Sequence, residues 1–392
     1  MSFGKHMLEH WSFEPGLTYL NHGTVGVTPR RVLDIQHAIR DAIERQPSRF
    51  MLRELTRHGV GRPRTEMPRL REAAHVVAEF LGVEGDDLAF VDNSTTGANG
   101  VLRSMPLRPG DEILLSDFGY GGIVRAAQFA ARERGATVRT VAMPYPVRSA
   151  DEVVHAFTSA IGPRTTLALV DHVSSESALV LPVAEIAAGC RERGVALLVD
   201  GAHAPGALPV DIGSLGADWY VANLHKWLWV PRNSGILWAS PERQHGLHPA
   251  VISWGLDQGF TAEFDAPGTR DPSAHLTAPH AIAFMRELGV RDVQQHNHAL
   301  AWRGGHLLAE RWGTPFVTPE SMIGTMATVM LPERLGSTPA HAARVRDVLL
   351  EEHRIEVHVH AFRERLYARI SAQIYNDLQD VEQLADVVSA ME

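Results

Sequence analysis

Asp200 and Lys226 carry the strongest chemical signal in the sequence. Asp200 ends the apolar run Val195-Ala196-Leu197-Leu198-Val199 and precedes Gly201-Ala202-His203. An apolar run bounded by polar turns reads as a buried parallel strand. A carboxylate at the carboxyl end of such a strand lies where open α/β sheets bind ligands. A second strand-like run, Trp219-Tyr220-Val221-Ala222, leads into Asn223-Leu224-His225-Lys226. Read singly, Asp200 caps a turn and Lys226 is a solvated surface charge. Together they suggest a Schiff-base lysine and an acidic partner for the pyridinium nitrogen of pyridoxal phosphate (PLP).

Other residues could serve the same chemistry. Asn93-Ser94-Thr95-Thr96-Gly97 lies between a strand and a helix, where hydroxyls and backbone N–H groups can cradle a phosphate or simply cap the helix. It is not a Walker loop, and no GxGxxG follows a strand, so nucleotide binding has little support. Gly268-Thr269-Arg270-Asp271-Pro272-Ser273 is a polar turn that offers a hydroxyl and a cation to a phosphate. Arg369 stands in an otherwise apolar, alternating segment. Its planar fork suits a substrate carboxylate, with a structural ion pair as the competing account. Tyr120 follows a strand end and either stacks on an aromatic cofactor or packs in the core. His358 and His360 share one strand face, but no third metal ligand is evident, so no metal site is expected.

The elements that must position these residues follow from periodicity. Strands are expected at 88–91, 112–115, 138–141, 166–170, 195–199, 219–222 and 235–238, alternating with helices. That pattern implies an α/β fold with a largely parallel sheet. Residues 1–31 read as an irregular N-terminal arm, 32–270 as a large α/β domain and 271–392 as a smaller α+β domain. Arg49-Phe50 is expected in a connecting segment after a helix that ends at Gln46-Pro47.

The chain has 392 residues, 45% apolar and 21% charged, with a net charge of −9 and no basic block, which argues against nucleic-acid binding. The N-terminus lacks a signal-peptide core and no apolar run reaches membrane-spanning length, so a cytoplasmic protein with no membrane partner is expected. The single cysteine, Cys190, falls on the apolar stripe of a helix, which excludes an internal disulfide and points to a packing role.

These motifs, in this order, resemble the class V aminotransferase family of fold-type I (aspartate aminotransferase-like) PLP enzymes. Leu20-Asn21-His22-Gly23 and Pro47-Ser48-Arg49-Phe50 are most similar to its isopenicillin N epimerase-like branch. The resemblance implies a seven-stranded, mainly parallel sheet and a smaller C-terminal domain. It implies that Lys226 binds PLP covalently, that Asp200 pairs with the pyridine nitrogen and that His203 lies near the phenolic oxygen. Ser94, Thr95, Thr96, Asn223 and His225 would surround the phosphate, with Thr269 reaching it from a neighbouring subunit, and Tyr120 would stack on the ring. Arg369 would bind the α-carboxylate, with Asn21, His22 and Arg270 around the substrate. A homodimer with interfacial active sites and an amino-acid substrate are also implied.

The sequence leaves the reaction open among three outcomes of Cα proton removal. Epimerisation is the first expectation and needs a second acid/base, for which His22, Tyr120 and His203 are candidates. A β-eliminating C–S lyase is the alternative, and transamination a lesser one. Persulfide-type desulfuration is disfavoured, because no cysteine besides Cys190 exists to take the sulfur. A non-catalytic PLP-fold protein is disfavoured by the presence of Lys226, Asp200 and Arg369 together.

Overall fold

The computed structural model describes residues 2–56 and 65–391. Seven strands, β1 (Leu88–Val91), β2 (Glu112–Ser116), β3 (Thr137–Val141), β4 (Thr165–Asp171), β5 (Ala196–Asp200), β6 (Trp219–Asn223) and β7 (Gly235–Ala239), form one sheet. Their order is β1-β7-β6-β5-β4-β2-β3, and only β7 runs antiparallel to its neighbours. The central strands are buried along their whole length except at Thr166, as expected for a parallel sheet covered on both faces.

Alternation assigns each strand residue to one of two cores. Leu197, Val199, Tyr220 and Ala222 face one layer, which contains α1 (Arg30–Arg45), α2 (Arg69–Leu81) and α6 (Val183–Glu192). Leu167, Leu169, Ala196, Leu198 and Val221 face the other, with α3 (Ser94–Ser104) and α4 (Gly121–Glu133). Continuing that period of two puts Asp171, Asp200 and Asn223, the last residues of β4, β5 and β6, on the α3 face. α2 closes at Gly82, which is left-handed at φ 74°. Cys190 is buried on α6, and burial pushes its thiol up to about 11, which keeps it unreactive.

A second, antiparallel sheet is made of β8 (Met326–Met330), β9 (His358–Phe362) and β10 (Arg365–Ser371), in the order β9-β10-β8. It shares an apolar core with α8 (Val290–Trp312), α9 (Pro339–His353) and α10 (Leu378–Ala390). By contrast α7 (Ser273–Leu288), assigned to the small domain by the sequence reading, buries Ile282, Phe284 and Met285 in the core of the large sheet. We therefore propose the division between the two lobes near Gly289.

The N-terminal arm is irregular for most of its length but firmly attached. Thr18-Tyr19 pairs in parallel with Ile355-Glu356, and Gly4 N–H donates to Ile374 O at 2.8 Å. Trp11 meets Trp229 and Tyr375 edge-on. The expected connector at Arg49-Phe50 is instead helical, a turn at Pro47–Arg49 running into a wider turn at Phe50–Glu54. Proline is well suited to a first helical position, which is why Pro47 begins a new turn after ending α1.

Candidate active site

The carboxyl ends of β4, β5 and β6 and the N-terminus of α3 converge on a cavity of about 460 Å³. Its walls include Ser94, Thr95, Thr96, Tyr120, Asp200, His203, Asn223, His225 and Lys226, so the sequence reading and the fold bring these residues together. Thr24, Asp171 and Ser175 line it as well.

At one end, Asn93 caps α3 by accepting from Thr96 N–H at 2.9 Å, and Asn223 Oδ1 accepts from Ser94 N–H at 2.9 Å. The helix N-terminus and three successive hydroxyl side chains are the chemistry of an anion site. His225 completes this end. Its Nδ1 lies 3.1 Å from Ser234 O, so Nδ1 carries the proton and Nε2 is left for another partner. Burial lowers its pKa to about 4.

Lys226 sits in the middle, 8% exposed. Its Nζ lies 3.0 Å from His203 Nε2. Burial, then the charge of Arg369, lowers the lysine to about 8, against the opposing pull of Asp200 and Asp171. An amine held there is a far better nucleophile at neutral pH than an ordinary lysine. Asp200 is also buried, and desolvation raises it to about 6, although its Oδ1 accepts from Ala202 N–H at 3.0 Å and Lys226 pulls it down.

At the other side Arg369, buried on β10, donates Nη1 to Ser175 O and Nη2 to Thr24 Oγ1 at 2.7 Å. Asn21 Oδ1 lies 3.4 Å from Nη2, while Asn21 Nδ2 donates to Glu356 at 2.8 Å. Among the described residues the Arg369 Nε–H has no partner, although it is buried. A guanidinium held by neutral groups, with an unused donor, is equipped to take a carboxylate.

Arg369 and Asn21 do not line the cavity themselves but bond to Thr24, which does, and three further predicted site residues stand elsewhere. His22 is fully buried outside the cavity, with Nε2 donating to Lys226 O at 3.0 Å and Nδ1 accepting from Tyr375 O–H at 2.8 Å. It holds the lysine turn. Arg270 pairs with both oxygens of Asp92 at 3.0 Å, beside a separate apolar cavity. Thr269 next to it is exposed and does not line its own chain's cavity. Arg49 is paired with Glu54 at 3.0 Å.

The sequence reading missed Thr24, Asp171 and Ser175. Asp171 had a visible signal, because Leu-Val-Asp occurs at both 169–171 and 198–200. Thr24 and Ser175 had none, since they meet Arg369 across long stretches of chain.

The aminotransferase class-V profile matches residues 58–384. The chain belongs to the class V aminotransferase family. PLP is the cofactor of that family. The chain is 32% identical to a probable chloroplastic L-cysteine desulfhydrase of Arabidopsis thaliana, over 96% of this chain and 83% of that one. It is 34% identical to an isopenicillin N epimerase of Amycolatopsis lactamdurans, over 98% and 97%. In three dimensions it is similar to a cysteine desulfurase from Thermococcus onnurineus, with TM-score 0.80 and 18% identity, covering 99% and 98%. A C-DES variant with glycine covalently linked to its PLP cofactor has TM-score 0.78 and 22% identity, covering 96% and 97%. The cavity suits the family's cofactor: a helix N-terminus with hydroxyls at one end, a buried carboxylate, and a buried amine of lowered pKa between them. Among the described residues no helix is long and apolar enough to cross a membrane.

Proposed function

We propose that this chain is a PLP-dependent lyase that removes the Cα proton of an L-amino acid and expels a β-substituent, with a cysteine-type C–S bond as the favoured target. The observation that carries this reading is the 3.0 Å contact between Lys226 Nζ and His203 Nε2. The amine that moves the proton and the imidazole that orients it meet at one point, and β-elimination needs proton transfer on one side only. Among the two kinds of relative, the cysteine desulfhydrases supply the matching chemistry.

Bound PLP supplies an electron sink for the carbanion at Cα. The protein's own residues do the rest. The α3 N-terminus, Ser94, Thr95, Thr96, Asn223 and His225 hold the phosphate. Asp200 would pair with the ring nitrogen and keep it protonated, His203 would partner the phenolic oxygen, and Tyr120 would stack on the ring. Arg369, oriented by Thr24 and Asn21, binds the α-carboxylate and so aims the Cα–H bond at Lys226. Lys226 Nζ takes that proton, and His203 orients the amine through their hydrogen bond. The chain works as a homodimer, with the exposed Val251, Ile252, Trp254 and Leu256 covered by the second copy and Thr269 reaching its phosphate site.

Epimerisation is the second reading, favoured by the epimerase relatives and by one side chain. Of the three candidates for the second acid/base, His22 lies outside the cavity and His203 sits with Lys226, leaving Tyr120. NMR of the PLP-loaded protein in deuterated water, with L-cysteine, its conjugates and a panel of other L-amino acids, separates the two. Pyruvate with loss of the β-substituent supports the lyase. Deuterium at Cα with an intact side chain and a growing D-enantiomer replaces it with the epimerase.

A further inference from the structure

Asp171 is a buried carboxyl group to which the mechanism above gives no task. β4 and β5 are parallel neighbours, and their register sets Asp171 directly beside Asp200. Both side chains lie on the α3 face by alternation, both are 2% exposed, and both line the same cavity. Adjacent strands are about 4.8 Å apart, so these are two carboxyl groups side by side in a desolvated site. Two such groups cannot both ionise cheaply.

Their surroundings are unequal. Asp200 accepts the Ala202 N–H and lies near Ser94 at the start of α3. Among the described residues neither oxygen of Asp171 makes a full hydrogen bond, and the polar groups turned toward it are Asp200 on β5, Lys226 beyond β6 and the Tyr120 backbone N–H beyond β2. The next residue along, His172, is taken up with Tyr220 O–H at 2.8 Å and offers it nothing. We infer that Asp171 and Asp200 carry one proton between them, kept on Asp171, so that Asp200 is the single anion presented to the cofactor's ring nitrogen. This rests on the reading of Asp200 as the ring-nitrogen partner. Asp171 is then a positioning residue, acting through Asp200. Burial and the neighbouring carboxylate hold Asp171 far above the usual carboxylate range, in agreement.

The test is urea unfolding of the full-length holoenzyme and its Asp171→Asn variant over a series of pH values. A carboxyl that keeps its proton when folded and releases it when unfolded makes the folded state bind more protons, so stability falls as pH rises. The unfolding constant of the wild type should therefore rise relative to Asp171→Asn by roughly tenfold per pH unit from about pH 5 to about pH 7. Parallel curves overturn the proposal, because they mean Asp171 is already ionised in the fold. Should Asp171→Asn not fold, Asp171→Ser carries the same comparison. The infrared spectrum of the wild-type holoenzyme at neutral pH gives a second measurement: a protonated-carboxyl C=O band supports the assignment and its absence overturns it. An Asp200→Ala protein that holds PLP as tightly as the wild type overturns the link to the ring nitrogen, while the unfolding curves still decide where the proton resides.

Discussion

Trp227 Nε1–H points at His203 Nδ1, 3.4 Å away, and thereby leaves His203 Nε2 as the protonated nitrogen facing Lys226. A donor on that side requires a lone pair on Lys226 Nζ, so the geometry describes a neutral amine. Burial holds His203 well below its ordinary pKa, which keeps the imidazole neutral as well.

The rate at which the apoprotein takes up PLP covalently should follow the neutral fraction of Lys226. It should rise about tenfold per pH unit below about 8 and level off above it. Replacing Arg369 with methionine removes a cation that favours the neutral lysine, so the midpoint should move upward. Stopped-flow absorbance of PLP binding reads both, and a rate independent of pH across this range would contradict the depressed lysine.

Arg369→Ala should weaken amino-acid binding by roughly 10- to 150-fold, the value of a charge-assisted hydrogen bond of about 1.5–3 kcal/mol. PLP absorbance should be retained. Spectral titration with an unreactive substrate analogue makes the comparison, and unchanged affinity would refute the anchor assignment.

His22→Leu removes the shared partner of two buried contacts, leaving Lys226 O and Tyr375 O–H without it. A loss of about 1–3 kcal/mol is expected. It should show as a lower melting temperature and faster PLP loss, with KM for the amino acid nearly unchanged. A selective rise in KM would return His22 to the substrate site.

Trp254 is 84% exposed, an unusual position for so large an apolar side chain, and Val251, Ile252 and Leu256 lie near it in sequence. Trp254→Glu should convert a dimer to a monomer in sedimentation velocity. A wild type that sediments as a monomer would dispose of the proposed interface and of the role given to Thr269.

The sheet and the lysine turn were legible because their signals are local. Apolar runs at 166–170, 195–199 and 219–222 become β4, β5 and β6 with their ends displaced by a residue or so. That small displacement concealed Asp171, which falls one position beyond the run that was read as strand. The Arg369 network was hidden for a different reason. Asn21 and Thr24 lie in an arm with little periodicity, and they meet Arg369 only through long-range folding. Arg270 was placed near substrate by the resemblance, but a nearby carboxylate, Asp92, takes it up instead.

The contact of His22 with Tyr375 spans 353 residues, and Lys226 lies between them in the chain. During synthesis the lysine turn therefore waits for its two braces, one made well before it and the other well after it. The large sheet can collapse as its strands emerge, since its pairings need nothing beyond Ala239. The arm cannot dock until Ile374 and Tyr375 have appeared. A truncated chain would thus keep the sheet yet leave its lysine unbraced, and the capacity to hold cofactor should arrive late, as the last act of assembly.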